Sequence, residues 1–135
     1  MSRTDFWSHF ELLRLAPLRP TLTSAPPSPA PPGPVQITLR AAPPNGLGFL
    51  LATTAGHVPE RAVANLDGVP LWLALPTQGP LTVSLLPIDP LGAATASFTN
   101  PGGIATALDF QVAVFGGPTP PVVGSSALLT LHLLP

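Results

Sequence analysis

The sequence predicts an all-β chain: an antiparallel β-sandwich of about seven strands, preceded by an N-terminal arm made of a short helix and a polyproline II segment. Three observations predict it. From Val35 onward short apolar segments are separated by turn signals every 8 to 15 residues, the spacing of a sandwich or barrel. Several of those segments alternate apolar and polar residues with the period of a half-buried strand. The 34 residues before them differ in kind, with prolines concentrated in Pro17–Pro34.

Taken in order, Ser2–Leu15 reads as a helix. Ser2 and Asp5 have the spacing of a capping box, Phe6, Phe10 and Leu13 recur at helical intervals, and Pro17 stops the run. A single helix of that length is marginal in water, so its apolar stripe needs a surface. Ala16–Pro34 is dense in proline, which fixes φ and removes backbone donors, and is expected to run as polyproline II. At about 3.1 Å per residue, Ser24–Pro34 would span on the order of 30 Å. Residues 1–34 are therefore assigned to an arm and 35–135 to the sandwich domain. Leu12, Leu13, Leu15, Leu18 and Leu22 are the arm residues expected to bury themselves in a neighbouring copy, with Phe6, Trp7 and Phe10 beside them.

Seven strands follow: Val35–Arg40, Gly48–Thr54, Val69–Leu75, Leu81–Leu86, Ala93–Thr99, Asp109–Phe115 and Ser126–Leu133. In the first, Val35, Ile37 and Leu39 should face inward. In the fifth, Ala94, Ala96 and Phe98 oppose Thr95, Ser97 and Thr99. Asn45-Gly46 and Asp67-Gly68 tolerate positive φ, Asp89-Pro-Leu-Gly92 has the residue order of a type I turn, and Asn100-Pro-Gly102 suits type II. His57–Leu66 reads either as a helical turn opening at Pro59-Glu60 or as a bent edge strand. Phe49-Leu50-Leu51, Leu71-Trp72-Leu73 and Leu128–Leu133 place apolar groups on both faces, although a two-layer sandwich buries only one. The N-terminal helix, or the arm of another copy, is expected to cover the second face.

Composition bounds the function. The chain of 135 residues has room for one domain and an arm. Charged residues are 8% of it, against roughly 25% in ordinary soluble domains, while 45% is hydrophobic. It has material to fold and little charge to keep a lone monomer solvated. A net charge of −1, with five arginines scattered along the chain, offers no basic stripe for nucleic acid or anionic lipid. No apolar run approaches the ~20 residues of a membrane span. Asp5, His9, Glu11 and Arg14 interrupt what would be the apolar core of a signal peptide. With no cysteine there is neither a disulfide framework nor a thiolate metal site.

Motifs of chemistry are weak. Ser125 and Ser126 with His132 and Asp109 could be drawn as a triad, but no nucleophile-elbow sequence surrounds them. Asp67, Asp89 and Asp109 stand alone beside turns or strand starts, where a carboxylate capping backbone amides is the ordinary case and calcium would need several clustered oxygens. Pro101-Gly102-Gly103 and Gly116-Gly117-Pro118 lack the Lys-Ser/Thr of a phosphate loop. Trp72 could stack on a sugar; an anchor in a core or subunit contact is the commoner role. No Asn-x-Ser/Thr sequon occurs, but Thr21, Thr23, Ser24 and Ser28 lie in a Ser/Thr/Pro-rich stretch of the composition found in O-glycosylated stalks.

The runs Ile88–Phe98, Leu108–Val114 and Ser125–Leu131 together resemble immunoglobulin-like C-terminal sandwich domains of secreted proteins from environmental bacteria, which carry an Asp-x-x-Gly turn, an Ala/Thr strand, a Phe-Gln strand and a Ser-Asn-Ala-Leu ending. Ser126 stands where that ending has Asn. The resemblance is carried by runs within residues 88–131, implies an immunoglobulin-like fold and an extracellular or cell-surface setting, and carries no functional residues. By architecture alone the arm is similar to that of pilus subunits joined by donor-strand exchange. Together these lead to the expectation of a non-enzymatic structural subunit of an extracellular homopolymer. It would need no cofactor, its partners would be copies of itself and covalent glycans, and Trp72 would lie in the subunit contact. The competing expectation is an adhesive or carbohydrate-binding module on a proline-rich linker.

Overall fold

The structure, a computed structural model, describes residues 19–66, 69–76, 78–116 and 122–135. They form ten strands: β1 (Thr21–Ala25), β2 (Gly33–Arg40), β3 (Leu47–Thr53), β4 (Arg61–Leu66), β5 (Val69–Leu73), β6 (Thr82–Pro87), β7 (Ala94–Asn100), β8 (Thr106–Gly116), β9 (Val122–Ser125) and β10 (Leu129–Leu133). No helix occurs among the described residues, and the helix expected over Ser2–Leu15 lies outside them. All strand pairs are antiparallel. One sheet has the order β1-β2-β7; the other has the order β10-β8-β3-β6, with β9 also on β8; β4 and β5 form a separate hairpin.

Two sheets share one core. Alternation in β2 buries Val35, Ile37 and Leu39, and in β7 it buries Ala94 and half-buries Ala96 and Phe98. These meet Leu50, Phe110, Val112, Val114, Leu131 and Leu133 of the larger sheet, and the Phe98 and Phe110 rings approach to 5.8 Å between centroids. Turn chemistry sets the connections. Asn45 takes φ 58°, and Asp89 accepts bonds on Oδ1 from the amides of Leu91 (2.8 Å) and Ala93 (2.9 Å). At Asn100-Pro-Gly102, Gly102 takes φ +75° and donates its amide to Asn100 Oδ1 at 3.0 Å. Asp67-Gly68 lies outside the described residues.

The polyproline II reading of Ala16–Pro34 is corrected over its described part. Thr21–Ala25 pairs with β2 from Thr21↔Arg40 to Ala25↔Gln36, so the smaller sheet begins within the segment assigned to the arm. Pro20 and Pro26 flank this stretch without interrupting it, leaving five residues that all keep their N–H groups. Beyond them, Ala30 is fully buried and bridges to β10 beside Leu133.

Of the two readings of His57–Leu66 the strand is the one found, as β4 over Arg61–Leu66 with a bulge between Ala62 and Ala64. The expected final strand Ser126–Leu133 is shortened to β10, with a separate strand β9 before it, because Ser126 between them turns inward: its N–H donates to Val112 O at 2.8 Å and its Oγ accepts from Val112 N at 2.9 Å.

Cover for the second face of the larger sheet comes from the chain's own β4-β5 hairpin, within the described residues, and not from an arm. Leu51, Gln111 and Ala113 point away from the core by register, yet all are buried, as are Leu71, Ala74 and Leu75 of the hairpin and its exit. Gln111 locks the layers: Oε1 accepts from Ala74 N at 2.8 Å and Nε2 donates to Ser126 O at 2.9 Å. Every buried side-chain polar atom described has a partner.

Candidate assembly surface

The hairpin does not reach β6. Val83 and Leu85 stand opposite Leu51 and Phe49 on the outer face of the larger sheet, where they are 56% and 61% exposed, and Leu81 just before them is 42% exposed. Half-buried Phe49 and Phe115 continue the strip, their rings edge to face at 5.5 Å. On the other face of β6 only Leu86 is buried, and Thr82 and Ser84 are exposed. The strand thus turns its larger apolar groups to solvent. No charged residue lies between Leu81 and Ile88.

The opposite edge of this sheet is treated differently. On β10, the His132 amide donates to Ser28 Oγ (2.9 Å), the His132 carbonyl accepts from Ala30 N (2.8 Å), and Leu134 N donates to Ala30 O (2.8 Å). Buried Asn100 ties the same junction, its Nδ2 donating to Ala30 O (3.2 Å) and Leu134 O (3.1 Å). The β1 edge is flanked by Pro20 and Pro26, and Arg19 beside it pairs with Glu60 at 2.7 Å. Occupied groups, prolines and charge are the usual means of preventing strand addition. Strand β6 also has prolines at its ends, Pro80 and Pro87, but it has no charged residue between Leu81 and Leu86 and, among the described residues, no partner for the main-chain groups of Val83 and Leu85.

Residues named from the sequence are placed as follows. Leu22 is 9% exposed and packs in its own core, so the expectation that it is buried in another copy is corrected. Its β1 neighbours alternate, with Thr21 and Thr23 exposed and Ser24 half-buried; Ser28 is exposed while its Oγ holds His132. Phe6, Trp7, Phe10, Leu12, Leu13, Leu15 and Leu18 lie outside the described residues. Trp72 is no core residue: Leu71 faces the sheet and Trp72, opposite Ala62, is 48% exposed on the outside of the hairpin. Leu81, Val83 and Leu85 were not singled out from sequence. The signal available was the order Thr-Val-Ser-Leu-Leu-Pro, in which Leu86 and Leu85 cannot both face the core.

The residues drawn as a triad do not assemble. Asp109, almost fully buried, accepts from Thr130 Oγ1 on Oδ1, and its Oδ2 lies 3.4 Å from His57 Nδ1. His132 is opposite Ala107, and Ser126 Oγ, fully buried, donates its proton to Ala127 O at 3.0 Å. Among the described residues no group of three or more His, Cys, Asp or Glu could hold a metal ion, and no helix is long and apolar enough to cross a membrane.

Comparison with known proteins finds no family model, no curated protein and no solved structure that matches this chain.

Proposed function

We propose that the chain is a structural subunit of an extracellular homopolymeric filament or surface assembly, not an enzyme, and that contacts between copies cover its exposed apolar surface. The observation that carries this reading is the outward placement of Leu81, Val83, Leu85 and Trp72 in a chain with only 8% charged residues. Single exposed apolar residues such as Trp72 are ordinary; the strip of Leu81, Val83 and Leu85 on a chain this poor in charge marks a contact surface. With Leu22 and Ala30 taken into the chain's own core, the segment left to pack on a neighbour is residues 1–18, through Phe6, Phe10 and the leucines after them. O-linked sugars at exposed Thr21 and Thr23 would add solubility.

An immunoglobulin-like arrangement is part of the proposal. It is supported by the orders β1-β2-β7 and β10-β8-β3-β6, with β4-β5 inserted between the third and fourth strands of the two main sheets. Negative-stain electron microscopy of the purified full chain, alongside a chain lacking residues 1–18, tests the function. Filaments from the full chain and soluble folded particles from the truncated one are expected; dispersed particles from both would refute the reading.

Half-exposed Trp72 favours a second reading, a carbohydrate-binding module. Glycan binding by the full chain that is lost in Trp72→Ala, with no filaments, would favour it.

A further inference from the structure

The β6 edge has a geometry that fits a second copy of itself. Ile88 N donates to Gly46 O at 3.1 Å, which makes residues 46 and 88 a hydrogen-bonded pair of the β3-β6 ladder. Such pairs alternate along an antiparallel ladder. The main-chain groups of Leu86, Ser84 and Thr82 therefore point at β3, and those of Val83 and Leu85 point out of the sheet. Among the described residues nothing bonds to them. The residues whose N–H and C=O face outward are the same ones whose apolar side chains lie on the exposed face.

We propose that two copies join antiparallel along β6 about a two-fold axis through Ser84, merging their five-strand sheets into one. Parity limits the register, and among the odd-with-odd registers the one centred on Ser84 pairs Val83 and Leu85 with each other and keeps both off Pro87. Outward-facing main-chain groups occur only at odd positions, so odd must pair with odd, and centring on Ser84 places Val83 against Leu85 of the second copy in both halves. Each such pair exchanges its N–H···O=C bonds, giving about four main-chain bonds at the centre. On the outer face Val83 and Leu85 become cross-strand apolar pairs, flanked by Leu51 and Phe49 of each copy. Pro87, which has no N–H, falls at the end of the paired run.

Charge and area both bear on the choice of occupant. With no charged residue between Leu81 and Ile88, two identical edges approach without like-charge opposition, whereas a charged partner strand would find nothing to pair with. One short strand and three exposed side chains per copy fall short of the ~1,200 Å² of a stable interface. The isolated contact is therefore weak and is effective where a second contact raises the local concentration. It supplies a two-fold link within the assembly proposed above and rests on that reading only for its biological use.

The chain has no cysteine, so a single introduced thiol reports the register. Ser84 faces its own copy in a non-hydrogen-bonded pair, with Cα atoms about 4.5 Å apart, inside the ~4.4–6.8 Å that a disulfide spans. The full-length Ser84→Cys protein should oxidise to a disulfide dimer at least ~10-fold faster than Thr95→Cys, which is exposed on β7. Adding Leu85→Arg to Ser84→Cys should remove that advantage without shifting the circular dichroism melt, because Leu85 is already exposed. Equal rates for the Ser84→Cys and Thr95→Cys proteins, or an unchanged rate with Leu85→Arg, overturn the proposal. So does a dimer that forms only when residues 1–18 are deleted, since the chain's own N-terminus would then fill the edge. Filaments without the disulfide dimer of the Ser84→Cys protein would sink this contact and leave the function standing; the dimer without filaments would do the reverse.

Discussion

Replacing Gln111 with methionine tests how the hairpin is held to the sheet. The side chain is fully buried and joins Ala74 N (2.8 Å) to Ser126 O (2.9 Å). Methionine keeps nearly the same length and fills the space, so the substitution removes two hydrogen bonds without opening a large cavity. Ala74 N and Ser126 O would be left without their partners in a buried setting, at about 1–3 kcal/mol each. A combined loss of about 2–5 kcal/mol is a large part of the ~5–15 kcal/mol that holds a domain of this size together. At about 4 °C per kcal/mol, the melting temperature should fall on the order of 10 °C or more. Thermal unfolding followed by circular dichroism gives the total, and hydrogen exchange at the Ala74 amide gives the local effect. A melt within about 2 °C of the parent, with Ala74 still protected, would refute the reasoning, because the hairpin would then be held by apolar contact alone.

Other outcomes follow from the same geometry. Leu22→Ala should cost about 2–4 kcal/mol in urea unfolding of the monomer, since Leu22 packs in its own core; no change would mean that β1 is not docked in solution. Gly92→Ala combines a residue at φ +78° with a Cβ driven into the Ala42 carbonyl oxygen, so a loss above about 2 kcal/mol is expected in the same assay. Trp72→Ala removes a half-exposed side chain and should change the melt by less than about 1 kcal/mol while weakening association read by sedimentation. An unchanged sedimentation profile would take Trp72 out of the contact surface.

What was legible in the sequence is what local chemistry decides. Val35, Ile37 and Leu39 alternate with polar neighbours and all are buried, and Asp89 and Asn100 make the turns their side chains suit. Strand β1 was hidden because proline density dominates the reading of residues 16–34, yet the two nearest prolines flank Thr21–Ala25 and leave its N–H groups intact. The apolar neighbours on both faces at Leu51 and Leu71 do signal a need for cover. The source of that cover is a long-range fact: Gln111 of β8 bonds to Ala74, 37 positions away, and no periodicity reports it. The same applies to β6. A run of Val, Ser, Leu and Leu suits a central or an edge strand equally well; only the sheet order puts β6 at the margin, and its register with β3 sets Val83 and Leu85 on the outer face.

The claim beneath this account is that the chain completes its own two-sheet core and associates through the apolar surface left outside it. Sedimentation equilibrium of the full chain from micromolar to millimolar concentration tests it most directly. The account predicts a mass that rises with concentration well above the 13.8 kDa of one chain. A constant mass of one chain across that range would contradict it.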